Sequence, residues 1–249
     1  MPSMTPPRDL HDYISPGFKA IRLDDYFPNL IAGDPSARTP PHLRRDTPHI
    51  WYHDRRVPEI DLLNRDEAHI LYNTALRFVG VNALDIGCSM GWSASHMAAA
   101  GVTLDVVDPL LGVDWIHRTV TESLTGLGVL RRVRLCAGPS PDTIDALGSA
   151  GQRWSLMFID GDHQFPAPVR DAVACERWAT PDAAILLRHV NLPAIAEALY
   201  FLRDRGWKSR IYKTAQIMAV AWRGQVIPVD HVPDPALEHA IPDHLSAAA

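Results

Sequence analysis

The chain has 249 residues, 47% of them apolar, with 24 Lys and Arg against 29 Asp and Glu for a formal charge of −5. That length and composition suit one main domain with an extension. The acidic balance withholds the basic field that phosphate backbones demand, which speaks against a nucleic-acid partner, and no apolar run reaches the roughly 20 residues of a membrane helix.

The opening "MPSMTPPRDL" lacks the basic-then-apolar order of a signal peptide, so a soluble, cytoplasmic protein is the expectation. Residues 1–60 are rich in Pro, Arg and aromatics without a period, and read as an irregular arm, a lid or a contact with a second copy in a dimer or larger homo-oligomer. From Asn64 to Phe78 apolar residues fall at helical spacing (Ala68, Leu71, Ala75, Phe78), with Asn64 as N-cap and Glu67 as its capping-box partner. The runs "ALDIG", "VTLDVVD", "VRLCAG", "SLMFID" and "AAILLR" then alternate with helical stretches. Continuous apolar runs between helices mean parallel strands covered on both faces, hence an α/β, doubly wound sheet over 61–225. "SRIYKT" and "QIMAVAWR", with only Ala215 between them, suit an antiparallel hairpin. The tail, 226–249, carries four prolines and ends in "SAAA", and is expected to pack loosely. Cys88, Cys136 and Cys175 lie far apart in apolar patterns and read as buried free thiols.

The stretch "ALDIGCSMGWSAS" carries two meanings. Gly87, Ser89 and Gly91 spell the G-x-S-x-G of a hydrolase nucleophile elbow, with Ser89 as nucleophile, and also a glycine-rich nucleotide loop. An elbow serine follows several earlier strands, whereas "ALDIG" is the first strand here, and no His-Gly-Gly run precedes it. The nucleotide reading uses more residues: Gly87 and Gly91 allow a sharp turn and close approach, the following helix aims free N–H groups at a ligand, and Asp85 places a carboxylate beside the loop. Asp108, closing the second strand, stands where an acid accepts from both ribose hydroxyls. The loop has no middle glycine to admit a pyrophosphate, which disfavours a dinucleotide. At the end of the fourth strand, "FIDGDHQF" crowds Asp160, Asp162 and His163 into one turn at the ligand-binding edge of such a sheet.

Together "LDIGCSMGWSASHMA", "VVDP" and "FIDGDHQF" resemble class I S-adenosylmethionine (SAM)-dependent methyltransferases, and within them the branch of macrocin and mycinamicin sugar O-methyltransferases and the cephamycin biosynthesis protein, over roughly Asn64 to Gly224. The resemblance implies a Rossmann-like seven-stranded sheet of order 3-2-1-4-5-7-6 with strand 7 antiparallel. It implies that Asp85, Gly87, Ser89, Gly91 and Trp92 hold the methionine part of SAM, Asp108 the ribose, and the turn Gly138, Pro139 and Ser140 the adenine edge. It makes Asp160 a magnesium ligand and a residue at the cofactor's reacting end, and His163 the catalytic base. The acceptor would be an oxygen or nitrogen of a small molecule, in natural-product biosynthesis. Alternatives are a SAM-binding protein that does not methylate and, more remotely, the serine hydrolase.

One departure stands out. The relatives place an acidic pair at the end of the fifth strand, where this chain has Arg188 and His189. Magnesium prefers an oxygen cage, and an arginine in it repels the ion. Two readings follow: a softer metal held by Asp160 and His189, or no metal, with Arg188 offering positive charge to a substrate carboxylate or phenolate, which is the expectation. Substrate walls are sought in the irregular parts, with Trp51, Tyr52, Trp115 and His117 as candidates.

Overall fold

The computed structural model describes residues 13–32, 43–44, 52–235 and 237–246. The N-terminal part contains β1 (Leu30–Ala32), β2 (Leu43–Arg44), β3 (Tyr52–Asp54) and β4 (Val57–Leu62). Strands β1, β3 and β4 form an antiparallel sheet in that order, so this region is not irregular throughout. β1 and β3, of three residues each, are too short to display an alternation, and Pro58 interrupts the strand pattern of β4, which is why the sequence conceals them. Helix α1 (Arg65–Ala75) begins at the expected cap: the Asn64 side chain accepts the Glu67 N–H, and the Glu67 carboxylate accepts the Asn64 N–H.

The main sheet comprises β5 (Asn82–Ile86), β6 (Thr103–Asp108), β7 (Val133–Ala137), β8 (Trp154–Ile159), β9 (Ala179–Leu187), β10 (Lys208–Tyr212) and β11 (Met218–Arg223). The linking helices are α2 (Trp92–Ala100), α3 (Asp114–Gly126), α4 (Asp142–Ser149), α5 (Ala167–Trp178) and α6 (Pro193–Asp204). Spatial order is β7-β6-β5-β8-β9-β11-β10, with β11 antiparallel to both its neighbours. This is the doubly wound Rossmann-like sheet in the order 3-2-1-4-5-7-6. The hairpin turn spans five residues rather than one, because Ala215 and Ile217 are buried turn residues whose apolar character imitates strand.

Period two along the strands builds two cores. Leu104, Val106, Phe158 and Leu186 face one helical layer, and Leu84, Val107, Met157 and Ile185 face the other. Each buried side chain of this size contributes about 1.5–3 kcal/mol. β5 and β8 run parallel, but successive strands are added on one side of β5 as far as β7 and on its other side from β8 onward, so the connections leave the two carboxyl ends in opposite directions; open α/β sheets hold ligands at that point.

The tail does not pack loosely. Val229 is buried, the Tyr212 hydroxyl donates to its carbonyl (3.0 Å), and His231 meets Asp66 of α1 at 2.9 Å. Tyr13 and Ser15 hydrogen-bond the Val232 backbone, β12 (Glu238–His239) pairs with β2, and α7 (Asp243–Ser246) buries Leu245. These partners are distant in sequence, so local composition cannot reveal them. Cys88 and Cys175 are buried and Cys136 is half-buried, all as free thiols. No helix among the described residues is long and apolar enough to cross a membrane.

Candidate active site

A cavity of about 430 Å³ opens at the switch point, with Gly87, Ser89, Asp108, Ser140, Asp160 and His163 among its walls. Its floor is a loop that only glycine permits. Gly87 has φ +85°, and a Cβ there would lie 2.3 Å from the Asp160 carbonyl oxygen. Gly91, at φ +87°, ends the loop and opens α2 with no side-chain cap, leaving the positive end of the helix facing the cavity.

Carboxylates surround this loop. Asp108 accepts the Ser89 N–H at 2.8 Å and the Leu110 N–H at 2.7 Å; burial raises its pKa although these bonds oppose the rise. Asp85 is fully buried beneath the loop rather than on the cavity wall, with one carboxylate oxygen accepting from the Ser93 hydroxyl at 2.8 Å. Burial, helped by the nearby charges of Asp160 and Asp108, pushes Asp85 up to about 7. Its other oxygen and the Ser89 hydroxyl have no hydrogen-bond partner among the described residues. A hydrolytic serine needs a base within reach, and no described residue hydrogen-bonds the Ser89 hydroxyl.

Trp92 touches the cavity but is chiefly core. Its indole N–H donates to the Leu63 carbonyl (3.0 Å), and its ring meets Phe27 edge-on at 4.9 Å. On the adenine side, Pro139 and Ser140 line the cavity, while Gly138 donates to the Asp108 carbonyl and packs against Thr143. The proposed aromatic walls lie elsewhere. Tyr52 is buried in the core, and Trp115 and His117 sit on α3 away from this cavity. Trp51 is outside the described residues.

The other half of the site is a charge cluster. Asp160 follows β8, and His163 Nε2 stands 3.3 Å from its Oδ1. Arg188, 2% exposed, follows β9 and reaches three carboxylates: Asp61 Oδ2 at 2.7 Å, Asp160 Oδ2 at 3.2 Å and Glu67 Oε2 at 3.3 Å. Burial disfavours its charge, but Asp160, Asp61 and Glu67 outweigh that and hold its pKa above the ordinary arginine value. This corrects the expectation that Arg188 serves a substrate anion: one guanidinium already faces three acids, and no cation is left over for a carboxylate or phenolate. His189 lies at φ +61°, its Nε2 3.7 Å from Asp61 Oδ2 and 3.9 Å from Asp160 Oδ1, and its ring 4.3 Å from that of His163. The magnesium of the resemblance does not fit here, because Arg188 occupies one oxygen of Asp160 and nitrogens replace the oxygens of a cage.

Sequence reasoning missed Asp61 and saw Glu67 only as a cap. An acid between Ile60 and Leu62 is the signal that marks Asp61, since alternation puts it opposite its apolar neighbours. Glu67 is fully buried, and its Oε1 also accepts the Gln216 N–H at 2.8 Å, tying α1 to the β10–β11 turn.

Residues 84–188 match a methyltransferase domain family. The matched stretch runs from the glycine loop to Arg188 and so takes in most of the cavity wall. Among solved structures, the chain is similar to cofactor-bound Rv0187 from MTB, with 20% identity, TM-score 0.57, and 65% of this chain and 81% of that one covered. It is also similar to the O-methyltransferase TomG from Streptomyces achromogenes, involved in tomaymycin synthesis and solved with SAM (15% identity, TM-score 0.56, 66% and 82% covered). A third likeness is to the S-adenosylhomocysteine (SAH)-bound methyltransferase PaMTH1 of Podospora anserina (14%, TM-score 0.55, 66% and 80%). At these identities the likeness is one of fold. No curated protein sequence matches the chain.

Proposed function

We propose that this protein is a SAM-dependent methyltransferase acting on an oxygen or nitrogen of a small molecule, with a natural-product hydroxyl as the leading acceptor. One observation carries the reading: the stretch that matches a methyltransferase domain, 84–188, supplies both the glycine cradle and Asp160 with His163 to a single cavity. The cradle fits the cofactor, because Gly87 lets the loop lie against the Asp160 backbone, bringing the two edges of the cavity together, and the Ser89 hydroxyl on its wall is buried without a partner among the described residues. Asp108 and the Pro139–Ser140 turn would hold the nucleoside, the loop from Gly87 to Gly91 with the Ser89 hydroxyl the amino-acid end, and Asp85 would lie behind that loop.

When bound, SAM supplies an electrophilic methyl group on a sulfonium. The chain's own work is to position the acceptor and remove its proton. His163 is one-third exposed at the cavity; with Nε2–H directed at Asp160, Nδ1 keeps the lone pair that takes a hydroxyl's proton as the new bond to carbon forms, or an ammonium's proton before it. Asp160 orients the imidazole and steadies its charged form, while Arg188 fixes Asp160 from the other side. A SAM-binding protein that does not methylate is the second reading, favoured by the arginine standing where relatives carry an acid. Calorimetric titration with SAH tests the cofactor assignment: micromolar affinity, about −8 kcal/mol, is expected. Absence of binding by the folded protein would remove both readings, and binding without SAH formation across an acceptor panel would leave only the second.

A further inference from the structure

We propose that Asp160, His163 and His189 form a binding site for a borderline divalent cation, of the Zn²⁺, Co²⁺ or Ni²⁺ kind, which shuts the catalytic centre when it is occupied. The effect on catalysis rests on the methyltransferase reading; the binding does not. One ligand atom from each residue lies within 4.8 Å of the other two. The Asp160 Oδ1 separations are 3.3 Å to His163 Nε2 and 3.9 Å to His189 Nε2. Ligands about 2.0–2.2 Å from a tetrahedral ion stand roughly 3.3–3.6 Å apart, so small side-chain adjustments close the set. Two imidazoles and one carboxylate suit borderline ions and not magnesium.

The surroundings favour that use. His189 keeps a left-handed backbone (φ +61°), unusual for a non-glycine residue, and in that conformation its ring stands beside His163 and Asp160. Arg188 binds Asp160 Oδ2 at 3.2 Å, so Oδ1 is the oxygen presented to the two histidines, an orienting role common around metal ligands. Asp61, 3.7 Å from His189 Nε2, adds negative charge, and with Asp160 it outnumbers the single guanidinium beside them. An ion on His163 Nε2 would replace the Asp160 bond that orients the base and set a positive charge against the imidazolium that proton transfer must form. The metal is therefore an inhibitor of the reaction proposed above, not a participant in it.

The test is titration of the chelator-stripped full chain with Co²⁺, followed by its visible d–d absorption and by calorimetry. The expected result is one equivalent bound, displaced by Zn²⁺ and untouched by millimolar Mg²⁺, with affinity more than about tenfold weaker in both His163→Asn and His189→Asn. Circular dichroism and SAH titration of each variant establish that it is folded, and Asp160→Asn provides a third variant should His189→Asn not fold. Absence of cobalt bands, equal binding by the folded variants, or displacement by magnesium would overturn the site. Cobalt binding in a protein that ignores SAH would uphold the metal site while removing the methyltransferase reading.

Discussion

The two halves of the cavity are built by different means. The half beyond β5, β6 and β7 is largely backbone: a glycine loop, a helix start and a turn, all within 87–140, with Asp108 held by two N–H groups from its own neighbourhood. The half beyond β8 and β9 is side chain, and Arg188 gathers Asp61, Glu67 and Asp160 from three separate segments. A backbone cradle can accept one shape of ligand whatever the other half does, whereas a charge cluster can change by single substitutions. In the methyltransferase reading proposed above, the first half would serve the cofactor and the second the acceptor.

The sharpest way to break the comparison is at His163. Positioned base catalysis is worth about 10²–10⁴-fold, so His163→Ala should lower kcat by that factor while SAH affinity stays within about threefold. Rates within threefold of wild type would move the base elsewhere. Next comes Arg188. Removing one partner of a buried ion pair costs about 3–5 kcal/mol, so Arg188→Met should lose that much stability in urea unfolding, because it leaves Asp61, Glu67 and Asp160 together without their cation. A loss below about 1 kcal/mol would show that the cluster protonates freely instead.

A smaller effect concerns pH. Asp85 is held at about 7 and Asp171, mainly through burial, at about 6, both above the unfolded carboxylate value of ~3.9. The native state therefore binds more protons than the unfolded chain between about pH 4 and 7, and stability from this source is lost as pH rises through that window. Asp85→Asn cannot ionise, so its stability relative to wild type should improve from pH 5 to pH 8, as read from urea midpoints; an unchanged difference would contradict the buried-acid account. The smallest expected effect is that of chelation. Turnover after EDTA treatment should persist or rise, and a loss restored by magnesium would mean that oxygens outside the Asp160 cluster form a cage.

The regular part of the fold was legible because its signals are local. Continuous apolar runs between helical stretches mark β5 to β9, Asn64 and Glu67 mark the start of α1, and apolar runs linked by a short turn mark the β10–β11 pair. The cradle was legible for the same reason, since Gly87, Ser89, Gly91 and Asp108 lie within about two dozen residues. The charge cluster was not, because Arg188 meets Asp61 and Glu67 across more than a hundred residues, and nothing local shows that a strand-end arginine is already neutralised. The docked tail escaped similarly: His231 finds Asp66, and Val232 finds Tyr13 and Ser15, only once the chain has closed.

The separation of the two halves is tested most directly by titrating SAH into wild type, Asp108→Ala and His163→Ala side by side. Loss of a charge-assisted bond costs about 1.5–3 kcal/mol, so Asp108→Ala should bind roughly 10- to 150-fold more weakly, and His163→Ala should match wild type. Equal weakening in both variants, or none in Asp108→Ala, would contradict the division of the cavity into a backbone-built cofactor half and a side-chain-built acceptor half.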